Sequence, residues 1–168
     1  MDSQQTAAIS VPSSAYLYQR GESELRWLGE TQTHFLATGA QTGAAFCLVD
    51  ERAVLGEAVH LHRHPQDMES FFVVEGEITI YIGDRPGARA KAGAFAHIPA
   101  GEVHGFRVTS ETARYLILTT AHHGEFYRAI SLPSEADNRP PSGHLPEGAI
   151  RQACIDYDIE FVGPLPKA

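Results

Sequence analysis

Cysteine is scarce. The 168 residues hold two, Cys47 and Cys154, far apart and each inside an apolar stretch, which reads as two buried free thiols and excludes a disulfide-built scaffold. Basic charge is also in deficit, with 13 Lys+Arg against 21 Asp+Glu and a net charge of −8. Such a balance argues against nucleic acid or an anionic membrane as partner, since both reward a cationic face. No apolar run approaches the ~20 residues of a membrane-spanning helix. The start, Met1-Asp2-Ser3-Gln4-Gln5, has neither the basic nor the apolar region of a secretory leader, so a cytoplasmic protein is expected. No glycine-rich phosphate loop follows a strand-like run, and no Ser, His and Asp stand at a spacing that suggests a nucleophile.

What is present is turn chemistry and histidine. The chain has 15 Gly, 10 Pro and nine His. At this length one domain is expected, and it buries about 70% of its unfolded surface without needing a structural metal. Short β-branched or aromatic runs occur at 44–49, 71–74, 78–82 and 115–118, punctuated by Gly43, Gly56, Gly76, Gly83-Asp84, Pro86-Gly87, Gly93 and Pro99-Ala100-Gly101. Strands of 4–8 residues between such turns predict a sandwich or barrel. Residues 1–15 read as a flexible arm, 16–122 as the β domain and 123–168 as an appendage packed on its outside. Within the appendage a short helix is predicted over 124–130. Pro133, Pro140, Pro141 and Pro146 mark a surface excursion, and Ile150, Ala153, Cys154 and Tyr157 lie on one helical face.

The histidines cluster. In a strand, alternate residues share a face, so His60, His62 and His64 point one way. Pro65-Gln66-Asp67 breaks the strand, and Glu69, Phe71 and Val73 share a face of the next. A third run carries His104 and Phe106 on one face after the Pro99-Ala100-Gly101 turn. The imidazoles of His62, His64 and His104 with the Glu69 carboxylate suit one borderline divalent ion: Fe, Ni, Mn, Co, Cu or Zn. Four protein donors leave one or two positions open for chemistry. On spacing alone, packing of these histidines in a core remains an alternative.

The pattern goes further. Gly56, His62, His64, Glu69 and Gly76 reproduce G-x5-H-x-H-x4-E-x6-G at every fixed position, and Gly93, Pro99, Gly101 and His104 reproduce G-x5-P-x-G-x2-H. These two motifs resemble those of the cupins. The second motif's last residue, an Asn in the family, is Val108 here, a departure that leaves the ligand set intact. The resemblance covers residues 40–120 and implies an all-β cupin double-stranded β-helix (jelly-roll) barrel, with one divalent transition metal per chain on His62, His64, Glu69 and His104. The expected inward face adds Phe46, Leu48, Phe71, Val73, Ile78, Ile80, Phe106 and Leu116 or Leu118. Of these, Phe46, Leu48, Phe71, Ile80, Phe106 and Leu116, with His60, are the candidate substrate contacts. His97 reads as structural, and His122, His123 and His144 as solvent-exposed.

Beyond the motifs, the chain resembles bacterial single-domain cupins related to quercetinase, through residues 69–76 and a tail containing Glu125-Phe126-Tyr127-Arg128 and residues 159–164. That resemblance implies a dioxygenase that opens a flavonol or related enolic ring with O2, with Glu69 as the catalytic base. Two alternatives stand beside it. One is another metal-dependent cupin enzyme, a polyketide cyclase or isomerase. The other is a non-catalytic binder of small molecules, although 121–168 is too short and acidic to be a DNA-reading domain. A homodimer is expected, because residues 16–38 supply strand-like segments in need of a partner edge.

Overall fold

The structure, a computed structural model, describes residues 15–135 and 138–167; apart from Ala15, the arm expected at 1–15 lies outside them. Two antiparallel sheets face each other. One contains β1 (Glu24–Leu28), β2 (Thr31–Ala37), β3 (Cys47–Val54), β5 (Glu69–Glu75), β8 (Phe95–Ile98), β10 (Thr112–Thr119) and β11 (Leu132–Pro133). The other contains β4 (Ala58–Arg63), β6 (Glu77–Ile82), β7 (Ala88–Lys91), β9 (His104–Val108) and β12 (Glu160–Gly163). The seven-stranded order is β11-β1-β2-β3-β10-β5-β8 and the five-stranded order β12-β4-β9-β6-β7. The helices are α1 (Gly39–Thr42), α2 (Ala121–Ala129) and α3 (Ala149–Asp156). No helix among the described residues is long and apolar enough to cross a membrane.

Alternation builds the core. Phe35, Val49, Phe71, Val73, Ile78, Ile98, Phe106, Val108, Tyr115 and Ile117 interdigitate between the sheets, each aliphatic or aromatic side chain contributing about 1.5–3 kcal/mol by leaving water. Phe71, Phe106 and Tyr115 meet edge-on or tilted, with ring centroids 5.4–6.3 Å apart. Tight corners between strands fall at glycines. Gly76 has φ 75, and a Cβ there would lie 2.2 Å from the Thr112 carbonyl oxygen, so no other residue fits that turn.

Strand parity corrects part of the expected inward face. On β3 the inward residues are Cys47, Val49, Glu51 and Ala53, while Leu48 is half-buried; Phe46, just before the strand, is half-buried as well. On β10 they are Ala113, Tyr115, Ile117 and Thr119, leaving Leu116 half-buried and Leu118 exposed. Arg114 explains that register. It stands on the outer face and grips Asp50 of β3 through Nε and Nη2 at 2.7–3.1 Å, so 48, 50, 114, 116 and 118 must share the outside.

The C-terminal segment does more than pack outside. Its strand β11 extends one sheet beside β1, and β12 extends the other beside β4. Helix α2 and its C-cap present His123, Phe126, Tyr127 and Ile130 at i, i+3, i+4 and i+7. Phe126 and Ile130 join Ala153, Cys154 and Ile159 in a second cluster that closes over one end of the barrel wall. Both cysteines are free and buried.

Candidate metal centre and cavity

Three strands and a turn deliver the donors. His62 and His64 come from β4 and the residue after it, Glu69 opens β5 and His104 opens β9. All four are buried, and one ligand atom from each lies within 4.8 Å of every other. The backbone fixes how the imidazoles face. Nδ1 of His62 lies 2.9 Å from the His60 carbonyl oxygen, Nδ1 of His104 3.0 Å from that of Glu102, and Nδ1 of His64 against that of Asp67. A carbonyl accepts, so each Nδ1–H donates and each Nε2 presents its lone pair inward.

The charge states are mixed: burial would lower the His64 pKa, but its contacts with Glu69 raise it. Burial, then the neighbouring His104, lowers the His62 pKa to about 4, so this ring is neutral at neutral pH. Burial alone would push Glu69 up, but His104, His123 and His64 hold it well below the usual carboxylate range. Glu69 Oε2 stands 3.0 Å from His104 Nε2 and 3.7 Å from His64 Nε2. The His64 Nε2 is buried with no hydrogen-bond partner. Lone pairs converging on a carboxylate oxygen, one of them unpartnered, are what a bound cation would satisfy. Two donors at ~2.0–2.2 Å from one ion are at most about 4.4 Å apart, so the set closes onto a single divalent ion by shifts of a few tenths of an ångström.

Helix α2 completes the centre, and the expectation of an exposed His123 is overturned here. His123 is 2% exposed, lies tilted against His64 at 4.3 Å between ring centroids and puts Nε2 3.7 Å from Glu69 Oε1. Tyr127 donates its hydroxyl to Glu69 Oε1 at 2.6 Å. Burial, then the Glu69 charge, pushes the Tyr127 pKa well above its usual value, so it stays a donor. The helix is tied to the ligand loop at its start: the Thr120 hydroxyl donates to Asp67 Oδ1 and accepts from the His123 amide, and Asp67 Oδ2 lies 2.9 Å from His122 Nδ1. The i, i+3, i+4, i+7 spacing of 123, 126, 127 and 130 was the signal in the sequence for this face.

A cavity of about 300 Å³ adjoins the cluster. His62, Val59 and Phe106 line it from one sheet, Glu51, Tyr115 and Thr31 from the other, and Phe126, Tyr127, Ile130 and Ile159 from the C-terminal segment. Of the candidate substrate contacts, Phe106 and His60 line this space. Phe71 and Ile80 are buried in the core beneath it, and Phe46, Leu48 and Leu116 do not line it. His60 is exposed, against the expectation that it shares a face with His62. The cause is a bulge: Val59 pairs with Phe106 and His62 with His104, leaving His60 and Leu61 of β4 opposite the single Gly105 of β9. The extra residue reverses the alternation, so Val59 takes the inward place. His97 and His144 are exposed and His122 half-exposed.

Residues 53–119 match the family model described as Cupin domain. The chain contains a cupin domain. It is also 29% identical over 161 residues, 94% of its length, to quercetin 2,3-dioxygenase of Bacillus subtilis. The chain spans about half of that relative, 47%. Among solved structures, a polyketide cyclase from Streptomyces resistomycificus superposes with a TM-score of 0.58 at 20% identity, covering 64% of this chain and 80% of that one. A predicted oxalate decarboxylase from Thermotoga maritima does so at 0.56 and 20% identity, covering 62% and 98%. These likenesses establish the cupin fold, whose two sheets here hold the donor cluster between them.

Proposed function

We propose that this cupin is a metal-dependent dioxygenase that opens the ring of a flavonol or a related enolic aromatic with O2. The observation that carries the reading is a buried three-imidazole, one-carboxylate set sharing His62 with an apolar cavity. Similarity to quercetin 2,3-dioxygenase along 94% of the chain supports the choice of chemistry. His62, His64, Glu69 and His104 would hold one Ni, Fe, Mn, Co, Cu or Zn ion. When bound, that ion supplies Lewis acidity towards an enol oxygen and, if redox-active, a path for electrons between substrate and dioxygen.

The protein's own groups do the rest. Phe106, Phe126, Ile130 and Ile159 offer a flat aromatic molecule an apolar bed and exclude water. Glu69 is the proposed base for the enol proton; its Oε1, the oxygen turned away from His104, accepts from Tyr127, which lines the cavity. A positioned base of this kind contributes about 10²–10⁴ in rate.

Protein loaded in turn with each metal, screened over flavonols in an oxygen electrode, tests the reading. Oxygen uptake with substrate is expected, and Glu69→Gln should lower the rate per bound metal by about 10²–10⁴. Conversion without oxygen uptake would instead indicate a cyclase or isomerase, and tight binding without conversion a small-molecule binder. Near-equal rates per metal for Glu69→Gln and the parent would remove Glu69 as the base.

A further inference from the structure

Glu51 has no part in the centre described above, yet it is the one charged side chain on the inward face of β3, between Val49 and Ala53. It is 3% exposed. Its strand neighbours at the same level are Thr33 on β2 and Tyr115 on β10. The Thr33 hydroxyl donates to Glu51 Oε1 at 3.0 Å, and the Tyr115 hydroxyl approaches the same carboxyl. Packing alone does not ask for an acid there, since Cys47, Val49 and Ala53 fill the rest of that face with apolar atoms. Glu51 and Tyr115 both reach the cavity surface, opposite the sheet that brings His62 to it. Thr33, by contrast, stands behind Glu51 and does not line the cavity.

We propose that Glu51 and Tyr115 form a second polar subsite of this cavity, which hydrogen-bonds a hydroxyl or carbonyl oxygen of an aromatic ligand other than the one presented beside His62. Thr33 anchors the carboxyl through Oε1, and the Tyr115 hydroxyl beside it completes the polar pair at the cavity surface. Burial favours the protonated acid, which donates as well as accepts. A ligand lacking that oxygen leaves a desolvated carboxyl unpaired, which is how a mostly apolar pocket discriminates strongly. The inference deepens the proposed function by giving its substrate a second oxygen, as polyhydroxylated flavonols have.

Phenol and toluene, nearly the same size, probe the subsite without turnover. Their affinities are measured by NMR titration on the zinc-loaded full chain, for the parent, Glu51→Leu, Glu51→Gln and Tyr115→Phe. The parent should bind phenol about five- to tenfold tighter than toluene, and Glu51→Gln should keep most of that preference. Glu51→Leu should abolish or reverse it, and Tyr115→Phe should reduce it. An unchanged preference in Glu51→Leu and Tyr115→Phe overturns the subsite, as does a parent that binds phenol no better than toluene. Failure of every flavonol in the oxygen electrode sinks the dioxygenase reading but not the subsite, because the phenol comparison needs no turnover.

Discussion

At the scale of single residues, the centre depends on which imidazole nitrogen is left free. Three backbone carbonyls, those of His60, Glu102 and Asp67, each occupy one Nδ1, so the lone pairs at Nε2 are aimed before any ion arrives. Removing one imidazole takes away a quarter of the donor set without touching the strands that carry the others. His62→Ala and His104→Ala should each lose most bound metal while keeping the far-ultraviolet circular dichroism of a β protein. Metal analysis beside the spectrum checks this; full occupancy in both variants would overturn the ligand assignment. His60 should be replaceable without metal loss because its ring accepts from the Leu165 amide and stands outside the donor cluster.

Elements matter most where α2 meets the barrel. Its N-terminal turn is fastened to Asp67 through Thr120 and His122, and its inner face carries Tyr127 to Glu69 Oε1. A hydrogen bond to a buried carboxylate is worth about 1.5–3 kcal/mol. Tyr127→Phe keeps the ring and removes the donor, so stability in urea should fall by about 2 kcal/mol. A loss of packing alone would leave the metal's surroundings alone. Here Glu69 is freed to turn, so the visible spectrum of the cobalt-substituted protein should shift as well. An unaltered cobalt spectrum would reduce Tyr127 to a packing residue. The helix stripe at 123, 126, 127 and 130 was readable in the sequence. What it faces was not, because nothing local says which sheet a terminal helix will cover.

For the whole molecule, two consequences follow from how the sheets are composed. The first is a pH dependence of folding. Burial raises the Glu51 pKa from 4.5 to about 7; Thr33 and Tyr115 hydrogen bonds oppose this, while the charges of Glu69 and Asp50 add to it. A carboxyl whose pKa is higher folded than unfolded stabilises the fold when protonated, and that contribution drains away as pH rises from about 4.5 through about 7. Between pH 6 and pH 8 the parent should lose roughly 1 kcal/mol that Glu51→Gln retains. Urea titrations at the two pH values measure it, and parallel losses in both proteins would contradict a buried neutral Glu51. The second is association. The edge of β1 is already paired with β11 over Arg26↔Pro133 and Trp27↔Leu132, so the sheet edge at 16–38 is not the free one. The outer face instead carries Phe72, Phe95 and Leu118, exposed at 43%, 66% and 37%, with Phe72 and Phe95 cross-strand partners. Light scattering at micromolar concentration measures the oligomeric state, and a monomer mass would refute the homodimer expected from the sequence.

The sequence by itself determined the β class, the corners and the cluster of candidate donors. Turn residues act within a few positions of themselves, so Gly76, Gly83, Gly93 and Pro99-Ala100-Gly101 mark where strands must end. The motif spacing singles out His62, His64, Glu69 and His104, but their meeting is tertiary: β4 and β9 pair within one sheet, and β5 brings Glu69 from the other. The faces of β3 and β10 were partly legible: Asp50, Arg52 and Arg114 alternate with the inward residues, while apolar Leu48, Leu116 and Leu118 on the outside blur the period. Tertiary structure alone decided the rest. The β4 bulge depends on how β9 pairs across the barrel, the burial of His123 and Tyr127 on where α2 lands, and the meeting of Thr33, Glu51 and Tyr115 on the register of three strands distant in sequence. Each of these is set by contacts between segments tens of residues apart, and no local propensity encodes which of two faces such a contact will bury.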